Sequence, residues 1–221
     1  MKNELPSPPR QPFPAALARA LALLAAAILL GGALAVPFVY ETQTLWYKTG
    51  IDRIMLRTGQ LHGMLALVLL VLQMLLAVRP RFLERAFGGA TLLRWHRTNG
   101  VLLALVAIGH VGLVLAPEGW GNLPLGMKYW PEWTGGALLL LLLVTAVTSR
   151  FRSNLGLDFA AWRRWHKLAG YLAPVLVGIH VLFVSDSFAQ RLPRVLLLAV
   201  AMGLALLVIR TITTRSRPSK H

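Results

Sequence analysis

The sequence predicts an all-α integral membrane protein, a six-transmembrane-helix bundle with both termini in the cytoplasm. Three observations carry that fold. Apolar residues make up 56% of the 221-residue chain, in Leu, Ala and Val runs that a soluble core of this size could not hide. Six of the runs are each near the ~20 residues a helix needs to cross the hydrocarbon. Lys and Arg collect in alternate connectors between them.

Taken in order, residues 1–14 are polar and rich in proline. Pro6, Pro8, Pro9, Pro12 and Pro14 forbid an early helix, so this stretch is expected to be a disordered tail. The first apolar run covers residues 15–40. It contains Ala33-Leu34-Ala35, which is similar to a signal-peptidase site, but its length favours an uncleaved span. The remaining spans are expected at 60–78, 98–116, 134–149, 168–185 and 193–212, so residues 15–212 form one membrane domain. Residues 213–221 follow as a short basic tail. Pro174 is expected to bend the fifth span.

The connectors fix orientation. Arg79, Arg81, Arg85, Arg94 and Arg97 lie between spans two and three, and Arg150, Arg152, Arg163, Arg164 and Lys167 between spans four and five. With Arg210, Arg215, Arg217 and Lys220 after span six, these segments share one side, which the positive-inside rule makes the cytoplasm of a plasma or bacterial inner membrane. On the opposite side Glu41, Asp52, Glu118 and Glu132 partly offset Lys48, Arg53, Arg57 and Lys128. The net charge of +15 at pH 7 thus has anionic lipid headgroups as its partner. Because the cations sit between apolar runs and not along one exposed face, a nucleic-acid role is excluded.

Aromatic rings mark both edges. Trp46, Tyr47, Trp120, Tyr129, Trp130 and Trp133 fall in the outer connectors, and Trp95, Trp162 and Trp165 at the inner boundary, as interfacial anchors do. Cysteine is absent, which excludes disulfides, iron–sulfur clusters, thiolate-ligated haem and covalent haem attachment through C-x-x-C-H. A redox cofactor here must hang on His or Met, or be held non-covalently.

Spans three and five each carry two histidines, His96 with His110 and His166 with His180, 14 positions apart in both. At 100° per residue that interval falls about 40° short of four turns, so both side chains leave one helix face. Along the axis they are roughly 21 Å apart, one near each leaflet. The two spans run in the same direction, so His96 is level with His166 near the cytoplasm, and His110 with His180 near the outer face. Two parallel helices with matched rungs clamp a planar ligand at each rung, and iron porphyrin between two imidazoles fits that geometry.

The two helices also read as copies. Arg94-Trp95-His96-Arg97 recurs 70 positions later as Arg164-Trp165-His166-Lys167. Gly100 recurs as Gly170, Leu102 as Leu172, and His110-Val111 as His180-Val181. Gly100 and Gly170, one turn beyond the inner histidines, leave room for a macrocycle. Arg94, Arg97, Arg163, Arg164 and Lys167 surround the inner rung and are suited to pair with haem propionates. His62, near the outer end of span two, is read as an interfacial residue or a neighbour of the outer rung, and His221 as an idle terminus. Gln73 and Asn99 are expected to hydrogen-bond between helices.

Six spans with H-x13-H on the third and fifth resemble the ferric reductase-like transmembrane domain family, over about residues 55–212. That family embraces ferric reductases, NADPH oxidases and the haem-binding membrane subunit of the bacterial periplasmic methionine-sulfoxide reductase system. The resemblance implies two b-type haems, bis-histidine ligated by His96 with His166 and His110 with His180, and electron transfer from a cytoplasmic flavin donor to an outer acceptor. Larger members continue into a flavin and NAD(P)H domain. Here only a short basic tail without a Gly-rich nucleotide fingerprint follows span six, so flavin is expected on a separate flavoprotein partner. The chain would then be the electron-transfer membrane subunit of an oxidoreductase, with a periplasmic or extracellular acceptor. Arg57-Thr58-Gly59 is similar to a Thr-Gly segment of the sulfoxide-reductase subunits, whereas His96 sets the chain apart from them, since their third helix keeps only its second histidine. Two other readings compete: a His-lined cation or proton transporter, and a haem-binding assembly or anchoring subunit without catalytic output.

Overall fold

Each helix runs until a specific residue stops it. The structure, a computed structural model, describes residues 15–119 and 122–215. The expected tail at 1–14, Trp120, Arg217, Lys220 and His221 lie outside the described residues. Helices α1 (Ala15–Val39), α3 (Gly50–Val78), α5 (Gly89–Leu115), α6 (Trp130–Arg150), α7 (Phe159–Val184) and α8 (Arg191–Arg215) are the spans. Two short helices, α2 (Thr44–Tyr47) and α4 (Arg81–Phe87), occupy connectors. Among the described residues there is no strand, and six helices are long and apolar enough to cross a bilayer. The chain is a multi-pass helical membrane protein.

Three spans start about two and a half turns before their apolar runs: α3 at Gly50, α5 at Gly89 and α7 at Phe159. The added turns carry Asp52, Arg53 and Arg57, then Arg94 and Arg97, then Arg163 and Arg164. These charges lower hydropathy without breaking a helix. A 27-residue helix such as α5 is about 40 Å long and reaches the headgroup layer on both sides. His96 and His166 therefore lie within their helices, not in the connectors that precede them.

The stops are local. Arg79 adopts a left-handed conformation (φ 46°) at the end of α3, and Pro80 cannot prolong the helix. Gly88 (φ 81°) makes the corner between α4 and α5, a conformation that favours glycine. Asp158 caps α7 by accepting the Ala161 N–H at 2.7 Å. Helix α7 continues unbroken through Pro174.

Packing is strongest between α3 and α5 and between α6 and α7, while α5 and α7 face each other without close backbone packing. Leu69 and Leu70 of α3, Leu103 of α5, Leu138 of α6 and Ala173 of α7 form the main buried cluster. Leu103 stands seven residues from both His96 and His110, and Ala173 seven from both His166 and His180. The cluster is thus an apolar layer midway between the rungs. A second cluster joins Met64, Val181 and Phe188 to Ala33 and Leu34 of α1 and Leu197 of α8.

Named for the expected orientation, the His110–His180 end is the outer end. Its connectors interlock: Arg57 donates to the Glu41 carboxylate and the Pro37 carbonyl. Gln60 donates to Thr42 Oγ1 at 2.8 Å and Ser187 to the Tyr40 carbonyl at 2.7 Å. Lys48 pairs with Glu118 at 3.0 Å. Large apolar side chains stay exposed along α1 and α8, as a lipid-facing surface requires.

Candidate functional site

The four histidines meet in the two expected pairs. Ring centroids lie 6.1 Å apart for His96 and His166 and 6.4 Å for His110 and His180, with interplanar angles of 78° and 79°. Two imidazoles bound on opposite sides of one metal ion, each at about 2.0 Å from a ring nitrogen, place their centroids about 6.3 Å apart. Both rungs match that spacing, and α5 and α7 keep their backbones apart to allow it.

The outer rung is built for ligation at the second nitrogen of each ring. His110 Nδ1 lies 2.8 Å from the Gly59 carbonyl of α3, and His180 Nδ1 lies 3.1 Å from the Pro131 carbonyl of α6. A ring that donates its Nδ1–H to a carbonyl leaves Nε2 unprotonated, the tautomer a metal ligand needs. Glycines one turn beyond each carbonyl make room for the rings. A Cβ on Gly63 would lie 2.9 Å from His110 Cε1, and one on Gly135 would lie 2.5 Å from His180 Cε1. Each histidine thus rests on a neighbouring helix, His110 on α3 and His180 on α6, in a seat made of a carbonyl and a glycine four residues on.

The inner rung is arranged differently. His166 Nδ1 faces the Ser149 hydroxyl at 3.2 Å. His96 Nδ1 is buried without a hydrogen-bond partner among the described residues, and its Nε2 faces the Gln73 amide nitrogen at 3.4 Å. Asn99 holds that amide in place by donating to Gln73 Oε1 at 2.7 Å and to the Leu69 carbonyl at 2.9 Å. Gln73 and Asn99 therefore bond between α3 and α5 as expected, and Gln73 also touches a candidate ligand.

The remaining site candidates separate. A Cβ on Gly100 would lie 3.0 Å from Gln73 Nε2, so this glycine lets the two helices approach, whereas Gly170 opens onto free space. Arg94, Arg97 and Arg164 are exposed at the inner end, and Arg163, Arg164 and Lys167 line a shallow basic cavity with Phe159 and Ala160. His62 donates its Nδ1–H to the Thr58 carbonyl of its own helix, 2.9 Å away, and packs over Gly109 beside His110. It is a neighbour of the outer rung. Among the aromatic anchors, Trp95 and Trp165 are exposed, but Trp162 stacks on His166 with centroids 5.2 Å apart.

The donor set therefore suits bis-imidazole haem at both levels: paired rings at metal-bridging distance, Nδ1 held by carbonyls at the outer rung, and His166 Nδ1 held by the Ser149 hydroxyl at the inner one.

The chain matches the family model for the ferric reductase like transmembrane component over residues 62–177, a stretch that includes His96, His110 and His166 and ends shortly before His180. It is 33% identical over 208 residues to the protein-methionine-sulfoxide reductase heme-binding subunit MsrQ of Deinococcus radiodurans, across 90% of this chain and 96% of that protein. No solved structure matches.

Proposed function

The chain belongs to the ferric reductase-like transmembrane component family, and on that footing we propose that it is a dihaem b-type membrane cytochrome, the electron-transfer subunit of an oxidoreductase. His96 with His166 and His110 with His180 would hold the two haems. The observation that carries this reading is the metal-bridging spacing of 6.1 and 6.4 Å at the two rungs. Haem held by two imidazoles would supply a one-electron iron couple suited to relay over substrate activation.

The chain's own residues do the rest. The Gly59 and Pro131 carbonyls orient the outer imidazoles, and Gly63 and Gly135 admit them. Leu103 and Ala173 exclude water between the levels. The exposed arginines of the inner end, Arg94, Arg97 and Arg164, are placed to pair with propionates and to attract an acidic cytoplasmic flavoprotein donor. Both termini lie in the cytoplasm of the bacterial inner membrane. The similarity to a sulfoxide-reductase heme-binding subunit extends along almost the whole chain, which favours a periplasmic methionine-sulfoxide reductase catalytic subunit as the acceptor. His96, in this reading, adds an inner rung within that class. A His-lined ion transporter would need a continuous polar route, and the Leu103–Ala173 layer interrupts it.

The deciding experiment is a visible spectrum of the purified protein, oxidised and reduced, with haem quantified per chain. Two haems per chain are expected, falling to one in His110→Ala with the inner haem still reducible. A protein without a Soret band after expression with ample haem would overturn the reading, and one haem per wild-type chain would overturn the second rung.

A further inference from the structure

Trp162 stands four residues before His166, one turn toward the cytoplasmic end on the same face of α7. Its ring lies 5.2 Å from that of His166 at 32°, and Phe159 continues the stack 5.7 Å beyond it. Its Nε1 is buried and has no hydrogen-bond partner among the described residues. A buried indole N–H without an acceptor is costly, so its persistence here calls for an acceptor that the described residues do not supply. Position 92, the counterpart of Trp162 in the copy of this helix, is Leu92, a fully buried apolar side chain. A donor is therefore not a packing requirement of the repeat. It is special to the α7 side of the inner rung, where Arg163, Arg164 and Lys167 lie alongside and favour an anion.

The geometry points to Trp162 as a haem-propionate ligand: its indole N–H donates to a carboxylate on the cytoplasmic edge of the porphyrin held by His96 and His166, fixing the rotation of that porphyrin in its site. This rests on the dihaem reading above. The bond is charge-assisted, and the tilted ring contact with His166 holds the donor in place.

The test is Trp162→Phe in the full chain, which keeps the stack and most of the volume but deletes the donor. Haem loss to excess apomyoglobin is followed in detergent, together with the propionate bending modes in resonance Raman spectra. One of two kinetic phases should accelerate about tenfold, the change expected for a lost hydrogen bond to a charged group, with a propionate band shift. The other phase should be unchanged. The same comparison is then made with the protein reconstituted with haem dimethyl ester, whose propionates are no longer anions, and there Trp162→Phe should have little further effect. Unchanged phases would overturn the assignment. So would equal acceleration of both phases, which signals general loosening, or an undiminished effect with the ester, which makes the partner something else, such as a lipid phosphate. Wild-type protein that takes up no haem would instead refute the dihaem reading itself.

Discussion

The imidazole of His180 rests directly on Gly135, where a Cβ would lie 2.5 Å from its Cε1 and 2.6 Å from its Nδ1. No rotamer change in α6 can relieve that contact, because the intruding atom would be fixed to the backbone. Gly135→Ala should push the ring off the Pro131 carbonyl, at a cost of about 1–3 kcal/mol, and abolish haem at the outer rung. Gly63→Ala should do the same to His110. Gly136→Ala, with open space around it, should change nothing. Haem per chain and the helical circular dichroism signal separate ligand loss from unfolding. Retention of both haems in Gly135→Ala would show that this seat is not what holds the ring.

The inner rung is less ready for ligation than the outer one. The Gln73 amide faces His96 Nε2, the ring nitrogen proposed to ligate at the outer rung, and His96 Nδ1 has no acceptor among the described residues. Titration of haem into haem-depleted protein should therefore fill the outer rung first and the inner rung in a second, weaker step. Gln73→Leu removes the competing donor and should strengthen the second step severalfold. If it weakens that step, the amide supports the ligand instead of competing for it.

Ser149 should tune one haem only. Its hydroxyl is the only hydrogen-bond partner found for His166 Nδ1 among the described residues, and accepting that N–H makes the imidazole a stronger donor to iron. Ser149→Ala should raise the midpoint potential of the inner haem by about 10–40 mV, because a neutral and exposed hydrogen bond is worth about 1 kcal/mol or less. The outer potential should stay fixed. A redox titration in which both potentials move together would contradict the assignment of His166 to the inner site alone.

Arg57 fastens α1 to α3 by donating to Glu41 and to the Pro37 carbonyl at the end of α1. With Arg57→Ala that carbonyl loses its partner, and Glu41 keeps only the longer contact with Arg53 at 3.5 Å. A loss of about 1–3 kcal/mol follows for groups this sheltered, seen as a lower midpoint of thermal unfolding in detergent. The haem spectrum should be unchanged, because neither ligand pair touches this tie.

Much of this was legible in the sequence because helices convert spacing into geometry. The interval of 14 residues, repeated on two spans of the same direction, determines which histidines pair and at what level, and the structure brings the same pairs together. The helix starts were harder to read, since Arg57 or Arg94 depresses hydropathy while leaving the backbone helical. The seats of His110 and His180 were illegible for another reason. Gly63 and Gly135 lie on other helices, and only tertiary packing relates them to the rings they carry. Trp162 carried a usable signal, its four-residue spacing from His166, but it was grouped with Trp95 and Trp165 as an anchor.

The apolar layer of Leu103 and Ala173 has an electrical consequence. It blocks ions and protons from following the path between the rungs, so an electron that crosses under the proposed function does so without a compensating charge. Turnover is then a current. With the cytoplasm negative, outward electron movement runs down the membrane potential, gaining about 2.3 kcal/mol per charge for each 100 mV. The cell's own polarisation drives the reaction forward, and sustained reduction of the outer acceptor depolarises the membrane unless cations are exported alongside.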